Sequence, residues 1–576
     1  MRIFYCTAIF ILIFFNNVLS QVLIKNVNVL DVENKKLLRG YNVVALNGHI
    51  VSVDKDRMYK LPEGTRVIEG EGKYLVPGFI DAHVHFFQSG GIYARPDAID
   101  LRKIRPYSQE IKWSHDHMED FLRLYIKAGI TSVADVGSTY NFLKQRDSFA
   151  DKTYAPDISM TGPLLTTYVP GPFKDLNDDG PFIEMKTEEG VKQSVRDQQS
   201  HKADFIKIWY IVTGADKEKG ARKNLPLVQA AITEAHRLKL RVAVHATERI
   251  TAQLAVEAGA DFLVHNIEDE IISKEFTELL RKKKTVLSPT LVVAGNYEKV
   301  FGDTYRFTTD ELSISHPYTV STILDYPAPD TSLAKLYIKQ MASSTAIALQ
   351  KHMDSVTQVN IKRMLDAGVI IATGTDAGNT GTQHAGSYFN ELKAMQDAGF
   401  DRWQLLQAST INAAKAVGKE KSWGSITAGK QANMVLLNAN PLDSLSNWRK
   451  IDWIINKSAP FRPDSVFIFG PEQLAQQQLN AYNSHDLEAF LEPYAEDVEV
   501  YSFPAKLETK GKEKMRATYG FLSRSPTLYC RLLNRIVQGN MVIDHEEILG
   551  VPGSPHYGIA IYVIEKGKIK KVYFPD

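Results

Sequence analysis

Eight short apolar runs, each ending in polar residues, constrain this chain more than any other feature. In order they are "LVPGFIDAHVH", "TSVADVGS", "DISMTGPLL", "DFIKIWY", "RVAVHAT", "DFLVHN", "TVLSPTL" and "VIIATGTDAG". Between several of them lie segments such as "LPLVQAAITEAHRLKL" and "ERITAQLAVEAGA", whose apolar residues recur at helical spacing. Buried strands alternating with helices are the pattern of an α/β chain with a parallel sheet, and eight such units predict a (β/α)8 barrel. A barrel of this kind takes about 250 residues, more with insertions. The surplus here follows the first, third and seventh strands, the last running roughly from Gly295 to His352. Long connections at strand C-terminal ends are where barrels build pockets.

Two β-rich blocks flank this region. "VLIKNVNVLDV", "YNVVALNGHIVSV" and "RVIEGEGKYLVPG" precede it, with Asn47–Gly48 as a hairpin signal, and "GSITAGKQANMVLLNANPL" and "IDWIINKSAPFRP" follow it. They are expected to combine into one small β-sandwich, residues 21–76 forming the first part and 424–468 the second, around a barrel at 77–423. After Phe469–Pro471 the pattern changes to helix, turn, helix and then strands, ending in the alternating "YGIAIYVIEKGKIKKVYF" with Gly567 at its turn. This predicts a separate α+β domain at 471–576, near the usual domain size.

The N-terminus differs from the rest. "MRIFYCTAIFILIFFNNVLSQ" has one Arg, an apolar run to Phe15, then polar residues, with small residues at Val18 and Ser20. That reads as a signal peptide, residues 1–20, cleaved before Gln21. The run is shorter than the roughly 20 residues a membrane span needs. The expectation is an exported protein, periplasmic or extracellular, with no stable membrane insertion after cleavage. The formal net charge of +1 gives no reason to expect nucleic acid as a partner. Once Cys6 is removed with the leader only Cys530 remains, so neither an internal disulfide nor a thiolate metal cluster can form. Cys530 is expected to be a buried apolar residue.

Polar residues gather at the strand ends. His83 and His85 close the first strand on one face, Lys207 lies in the fourth, and His245, His265 and Asp376 end the fifth, sixth and eighth. Singly each has a plain explanation: a histidine held in the core, a snorkelling lysine, an aspartate in a turn. Together, at one rim of one barrel, four imidazoles and a carboxylate without cysteine make a site for Zn²⁺ or a similar divalent ion. "HDHMED" from His115 lies outside this series and is expected to be a polar helix start. His236 falls on the surface of an amphipathic helix. Tyr210 and His384 are candidate substrate contacts by their placement, with packing as the competing reading.

"GFIDAHVH", "FIKIW", "VAVHAT", "FLVHN", "SPTL" and "TGTDAG", continuing through "HAGSYFNELKAMQDAG" and "ASTINAAKAVG", resemble the amidohydrolase superfamily, most closely its imidazolonepropionase-like and prolidase-like branch. The resemblance covers roughly residues 22–465. It implies a TIM barrel with a β-sandwich built from both flanks. It also implies that His83, His85 and Asp376 bind one metal, that His245 and His265 bind a second, and that Lys207 bridges both as a carboxylated lysine. Two such ions, Zn²⁺ by expectation, share a hydroxide and polarise the scissile carbonyl, while Asp376 serves as general base and then acid. The substrate implied is a small amide, peptide or cyclic amide. Thr247, Glu248 and Arg249 follow His245 where related dipeptidases offer an aromatic or imidazole contact, and Asn433 replaces a usual Asp, so no proline or arginine specificity is transferred.

The C-terminal region, through "LNAYNSHDLEAFLEPYAEDVEVY" and "KGKEKMRATYGFL", resembles the ketosteroid-isomerase-like (SnoaL-like) cone. Asp486, Asp497 and Asp544 are its candidate acids, with turns and surface as the alternative, and an accessory role in ligand binding or homo-oligomer formation is the expectation. Two other functions stay open at this point: a non-catalytic binding protein on the amidohydrolase fold, and a main activity in the C-terminal domain.

Overall fold

The computed structural model describes residues 21–55, 61–174, 176–326 and 330–575. The predicted signal peptide lies outside them. Cys530 is buried and free. Among the described residues no helix is long and apolar enough to cross a membrane.

The two β-rich flanks meet in one eight-stranded sheet. Met434–Leu437 runs antiparallel to Tyr74–Pro77, and Tyr74–Pro77 pairs in turn with Gln21–Asp31. Lys36–Leu46 and His49–Asp54 form the hairpin that Asn-Gly announces, with Asn47 at φ 52° and Gly48 at φ 83°. Both central residues of a tight primed turn need positive φ, which Asn and Gly adopt most readily. A core of Val22, Ile24, Val43, Leu75, Met434 and Trp453 lies on this sheet, so neither flank has a complete core alone.

The barrel strands follow in the expected order: Phe79–Val84, Ile130–Asp135, Asp157–Met160, Ile206–Trp209, Val242–His245, Phe262–Val264, Val286–Ser288 and Ile370–Ile371. All neighbouring pairs within them are parallel. Their ladders fall into a three-stranded and a seven-stranded sheet. At one seam the third strand is broken at Thr161–Pro163: Asp157–Met160 pairs backward with the second strand, and its continuation Leu164–Thr166 pairs forward with the fourth. At the other seam the chain beyond the short eighth strand bonds to the first, through Ala82 N–H to Thr373 O (3.0 Å), Asp376 N–H to His83 O (2.7 Å) and His85 N–H to Ala377 O (2.8 Å). Gly378 sits at this seam with φ 106°, and a Cβ there would lie 2.3 Å from His85 O. Only glycine allows that approach.

The seventh-strand insertion is helical: Val293–Phe301, Thr309–Ile314, Pro317–Leu324, Thr331–Met341 and Ser344–Asp366. Behind it stands the C-terminal domain, whose first helix, Pro471–Asn483, packs on Pro317–Leu324. Gln473 Nε2 donates to Asp120 Oδ2 (3.2 Å) and Asn480 Nδ2 to Pro317 O (2.7 Å). Six strands, in the order Lys506–Lys510, Tyr494–Ser502, Lys568–Phe574, His556–Glu565, Met541–Leu549 and Tyr529–Gln538, complete the α+β domain.

"HDHMED" is not a helix start throughout. Helix Tyr107–Asp116 ends within it and Met118–Lys127 begins after His117, whose backbone leaves the helical range at φ −111° and ψ 11°. His115 there is held by Gln145 (2.6 Å) and Asp179 (3.0 Å).

Candidate metal centre

Strand-end geometry assembles the site. His83 and His85 are two apart on one strand, so both imidazoles leave the same face. Their Nε2 atoms lie 3.3 Å apart, and Asp376 Oδ1 is 3.1 Å from the first and 3.0 Å from the second. His85 Nδ1 lies 2.9 Å from Gly137 O and donates to it, so in the neutral ring Nε2 is left with a lone pair. Asp376 Oδ1 is buried without a hydrogen-bond partner, as is His83 Nδ1. A lone pair facing a buried carboxylate oxygen at 3.0 Å is repulsive unless a cation sits between them. Two zinc–nitrogen bonds of about 2.0–2.1 Å at a tetrahedral angle put the nitrogens about 3.3 Å apart, so the residues fit a metal ion.

His265 adds a third imidazole. One ligand atom each from His83, His265 and Asp376 falls within 4.8 Å of the others. His265 Nδ1 lies 2.8 Å from Thr290 Oγ1, which orients the ring, and the His245 ring meets it at 4.4 Å. His265 and Asp376 have φ of 77° and 62°. Left-handed backbone at non-glycine residues costs of the order of 1–3 kcal/mol each and gathers at functional sites.

Lys207, His245, His265, His85 and Asp376 line one cavity of about 230 Å³, with Trp209, Thr247, Glu268, Arg95, Tyr297 and Asn379 around them. His83 is completely buried beneath it. Tyr210 and His384 do not line it. The Tyr210 hydroxyl donates to Ala221 O, while His384 is held by Tyr125 (3.1 Å) and Gln88 O (2.9 Å) and stacks on Phe86. Their polar atoms are engaged in packing.

Burial governs the electrostatics. It pushes His83 down to about 4 and His245 and His265 well below their ordinary value, so all three are neutral, as metal ligands must be. Burial alone raises the Asp376 carboxyl, but the imidazoles of His83 and His85 overcome it and hold that group well below the usual range. The Lys207 amine is lowered by burial to about 7, against the pull of Asp376 and Asp135. Two further buried acids brace the ligands. Asp81 accepts from Thr375 Oγ1 (2.7 Å) and N–H (3.0 Å), and Asp135 accepts from Phe86 N–H (3.1 Å) and Gly137 N–H (3.2 Å).

Sequence reasoning missed Arg95, Tyr297 and Asn379. Arg95 forms a two-pronged pair with Asp97, and its Nη1 donates to Tyr297 Oη (3.0 Å) and Asn379 Oδ1 (2.5 Å). This ties the insertions after strands one, seven and eight across the cavity mouth. Only Asn379 had a signal, three residues beyond Asp376.

Residues 74–471 match the amidohydrolase family and 475–572 a SnoaL-like domain. The chain belongs to the amidohydrolase family. It is 23% identical over 392 residues to a protein described as "Probable imidazolonepropionase" from Danio rerio, covering 65% of this chain and 75% of that one. It is 20% identical over 498 residues to 5-methylthioadenosine/S-adenosylhomocysteine deaminase from Syntrophomonas wolfei, covering 81% and 96%. Matches to some other relatives span 29% and 28% of those proteins. A prolidase structure solved with N-methylphosphonate-L-proline superposes with a TM-score of 0.58 at 20% identity, covering 77% of this chain and all of that one, which shows a common fold. This family chain is a metal-dependent hydrolase of C–N bonds built on the α/β barrel, with a second, α+β domain behind it. The SnoaL-like domain's predicted acids are placed in structural roles. Asp486 caps helix Leu487–Leu491, Asp497 pairs with Lys570 on the surface, and Asp544 forms a buried two-pronged pair with Arg535.

Proposed function

We propose that this amidohydrolase cleaves small amides, peptides or cyclic amides outside the cytoplasm at a two-metal centre. The observation that carries the reading is the convergence of His83 Nε2, His85 Nε2 and Asp376 Oδ1 within 3.0–3.3 Å at the floor of the cavity. His83, His85 and Asp376 would hold one divalent ion, Zn²⁺ by donor type, and His245 and His265 would hold a second. When bound, such ions act as Lewis acids toward the substrate carbonyl and make a water molecule more acidic.

Carboxylated Lys207 would supply a further ligand to both ions. Its buried amine, lowered to about 7, has a substantial neutral fraction at neutral pH. The nitrogen lone pair adds to CO₂, an N–C bond forms, one proton leaves, and two carbamate oxygens result. In hydrolysis the Asp376 carboxylate takes the proton of the attacking water as the C–O bond forms. It returns that proton to the departing nitrogen as the C–N bond breaks. Hydrogen bonds from Thr375 to Asp81, and from the Phe86 and Gly137 amides to Asp135, keep the two ligand-bearing strands in place. Export rests on the N-terminal leader pattern of residues 1–20.

The test is elemental analysis of the mature protein alongside hydrolysis of a dipeptide and N-acyl amino acid library. Two divalent ions per chain and release of free amine are expected. Less than one ion per chain, or no hydrolysis of any amide by metal-replete protein, defeats the proposal.

A further inference from the structure

A second, larger cavity adjoins the metal centre. Its volume is about 570 Å³, and Glu268 and Ala294 line both it and the metal cavity. Glu268 follows the sixth strand, three residues beyond His265. The other walls come largely from the seventh-strand insertion. Glu298 stands on helix Val293–Phe301, and Gln350 and Asp354 stand on Ser344–Asp366.

These walls present oxygen without matching donors. Among the described residues no cation forms an ion pair with Glu268, Glu298 or Asp354. Asn266 is 1% exposed, and its Nδ2 donates to the carbonyl of Thr357 on the same walls (3.0 Å). Its Oδ1 is left buried without a hydrogen-bond partner. Gln350 repeats the arrangement: Nε2 donates to Asp354 Oδ1 (2.8 Å), and Oε1 is buried without a partner. Buried amide oxygens that lack a donor are uncommon in folded chains. Three cations share the walls, but Lys393 is paired with Asp397 (2.5 Å), and Lys299 and Arg306 are exposed to solvent. On the metal-centre side, the Arg95 guanidinium is already held by Asp97, Tyr297 and Asn379. Burial, and then the negative charges of Glu248, Asp269, Asp354 and Glu298, raise the Glu268 carboxyl to about 7.

We propose, resting on the amide hydrolase inferred above, that this second cavity holds a cationic group of the substrate, an alkyl ammonium or guanidinium, while the amide to be cut lies at the metal centre. Such a group carries hydrogen-bond donors only, and the cavity offers carboxylate and amide oxygens to receive them. A bare metal ion is a poorer occupant, because its ligand atoms must crowd around one point. His83, His265 and Asp376 bring ligand atoms within 4.8 Å of one another; among the described residues Glu268, Glu298 and Asp354 do not. A cation on a methylene chain fits oxygens spread over a cavity wall. Glu268, on the wall common to both cavities, is the specificity-determining residue.

Two measurements on the metal-replete full chain test this. The first compares kcat/KM for lysyl-glycine and glycyl-lysine with that for norleucyl-glycine and glycyl-norleucine, which keep the alkyl chain and lose its charge. One lysine peptide is expected to be preferred over its norleucine match by about 10-fold or more, and Glu268→Gln/Glu298→Gln is expected to remove most of that preference. The second measurement, calorimetric binding of 1,5-diaminopentane and of 1,5-pentanediol, involves no hydrolysis. The diamine is expected to bind about 10-fold or more tightly than the diol, with an affinity that falls in the double variant and with added salt. Lysine and norleucine peptides cut equally well, diamine and diol bound equally, or diamine binding undiminished in the double variant overturns the cation site and leaves the hydrolase standing. If no amide is cut, the reaction assigned above fails, and the binding comparison still decides the cation site. If the double variant fails to unfold cooperatively, the wild-type comparisons decide alone.

Discussion

Asp376 carries two burdens: it faces two imidazoles and it occupies left-handed backbone. Asp376→Asn keeps the shape and removes the proton acceptor, so hydrolysis should fall by about 10²–10⁴-fold, measured as kcat on a cleaved amide. Gly378→Ala acts through the backbone. Its Cβ would push His85 O away, and metal affinity measured by competition with a chelator should weaken by about 10- to 100-fold, as when a ligand's support is lost. The histidines give the metal-free protein a pH signature. His83 has a folded-state value lowered from 6.5 to about 4, so its stabilising contribution is complete above pH 6.5 and is lost as pH falls toward 4. Thermal unfolding of chelator-treated protein should therefore drop between pH 6.5 and 4, and the metal-replete protein should resist that drop. The histidines and the aspartate that the structure brings together were legible because chemistry and position coincide: "HVH", "VAVHAT", "FLVHN" and "GTDAG" each close an apolar run. Arg95 and Tyr297 were not, because they come from insertions with no period and meet only through tertiary contact.

Among elements, the barrel strands were readable from their apolar runs and the Asn-Gly hairpin from its turn chemistry, whereas two breaks were not. The third strand splits at Thr161–Pro163, where its continuation switches partners, and periodicity carries no partner information. "HDHMED" read as one polar helix start because it lies outside the strand-end series, but a backbone turn at His117 divides it. The insertion helix Pro317–Leu324 depends on the C-terminal domain for its cover. Gln473→Ala with Asn480→Ala removes the hydrogen bonds to His316 Nε2 and Pro317 O at the start of that helix, worth about 0.5–1.5 kcal/mol each. The pair should speed limited proteolysis near Pro317–Leu324 several-fold, and digestion followed by mass spectrometry locates the cut. A cleavage pattern identical to that of the wild type would mean that the insertion stands unaided.

For the whole molecule, composition alone set the class: little net charge, only two cysteines, Cys6 and Cys530, and enough apolar residues for several cores. Unfolding should accordingly be the same with and without a thiol reductant, which calorimetry can check. The arrangement of the domains was less legible, since no local pattern says that helix Pro471–Asn483 settles on the seventh-strand insertion. The joined flanks have a temporal consequence. Tyr74–Pro77 finds its neighbour Met434–Leu437 only after more than three hundred further residues have been made. A ribosome working at about 5–20 residues per second needs at least tens of seconds to deliver them. Through that interval the first-made strands wait with an unmatched edge, and the last barrel helices must emerge before the first sheet can be finished.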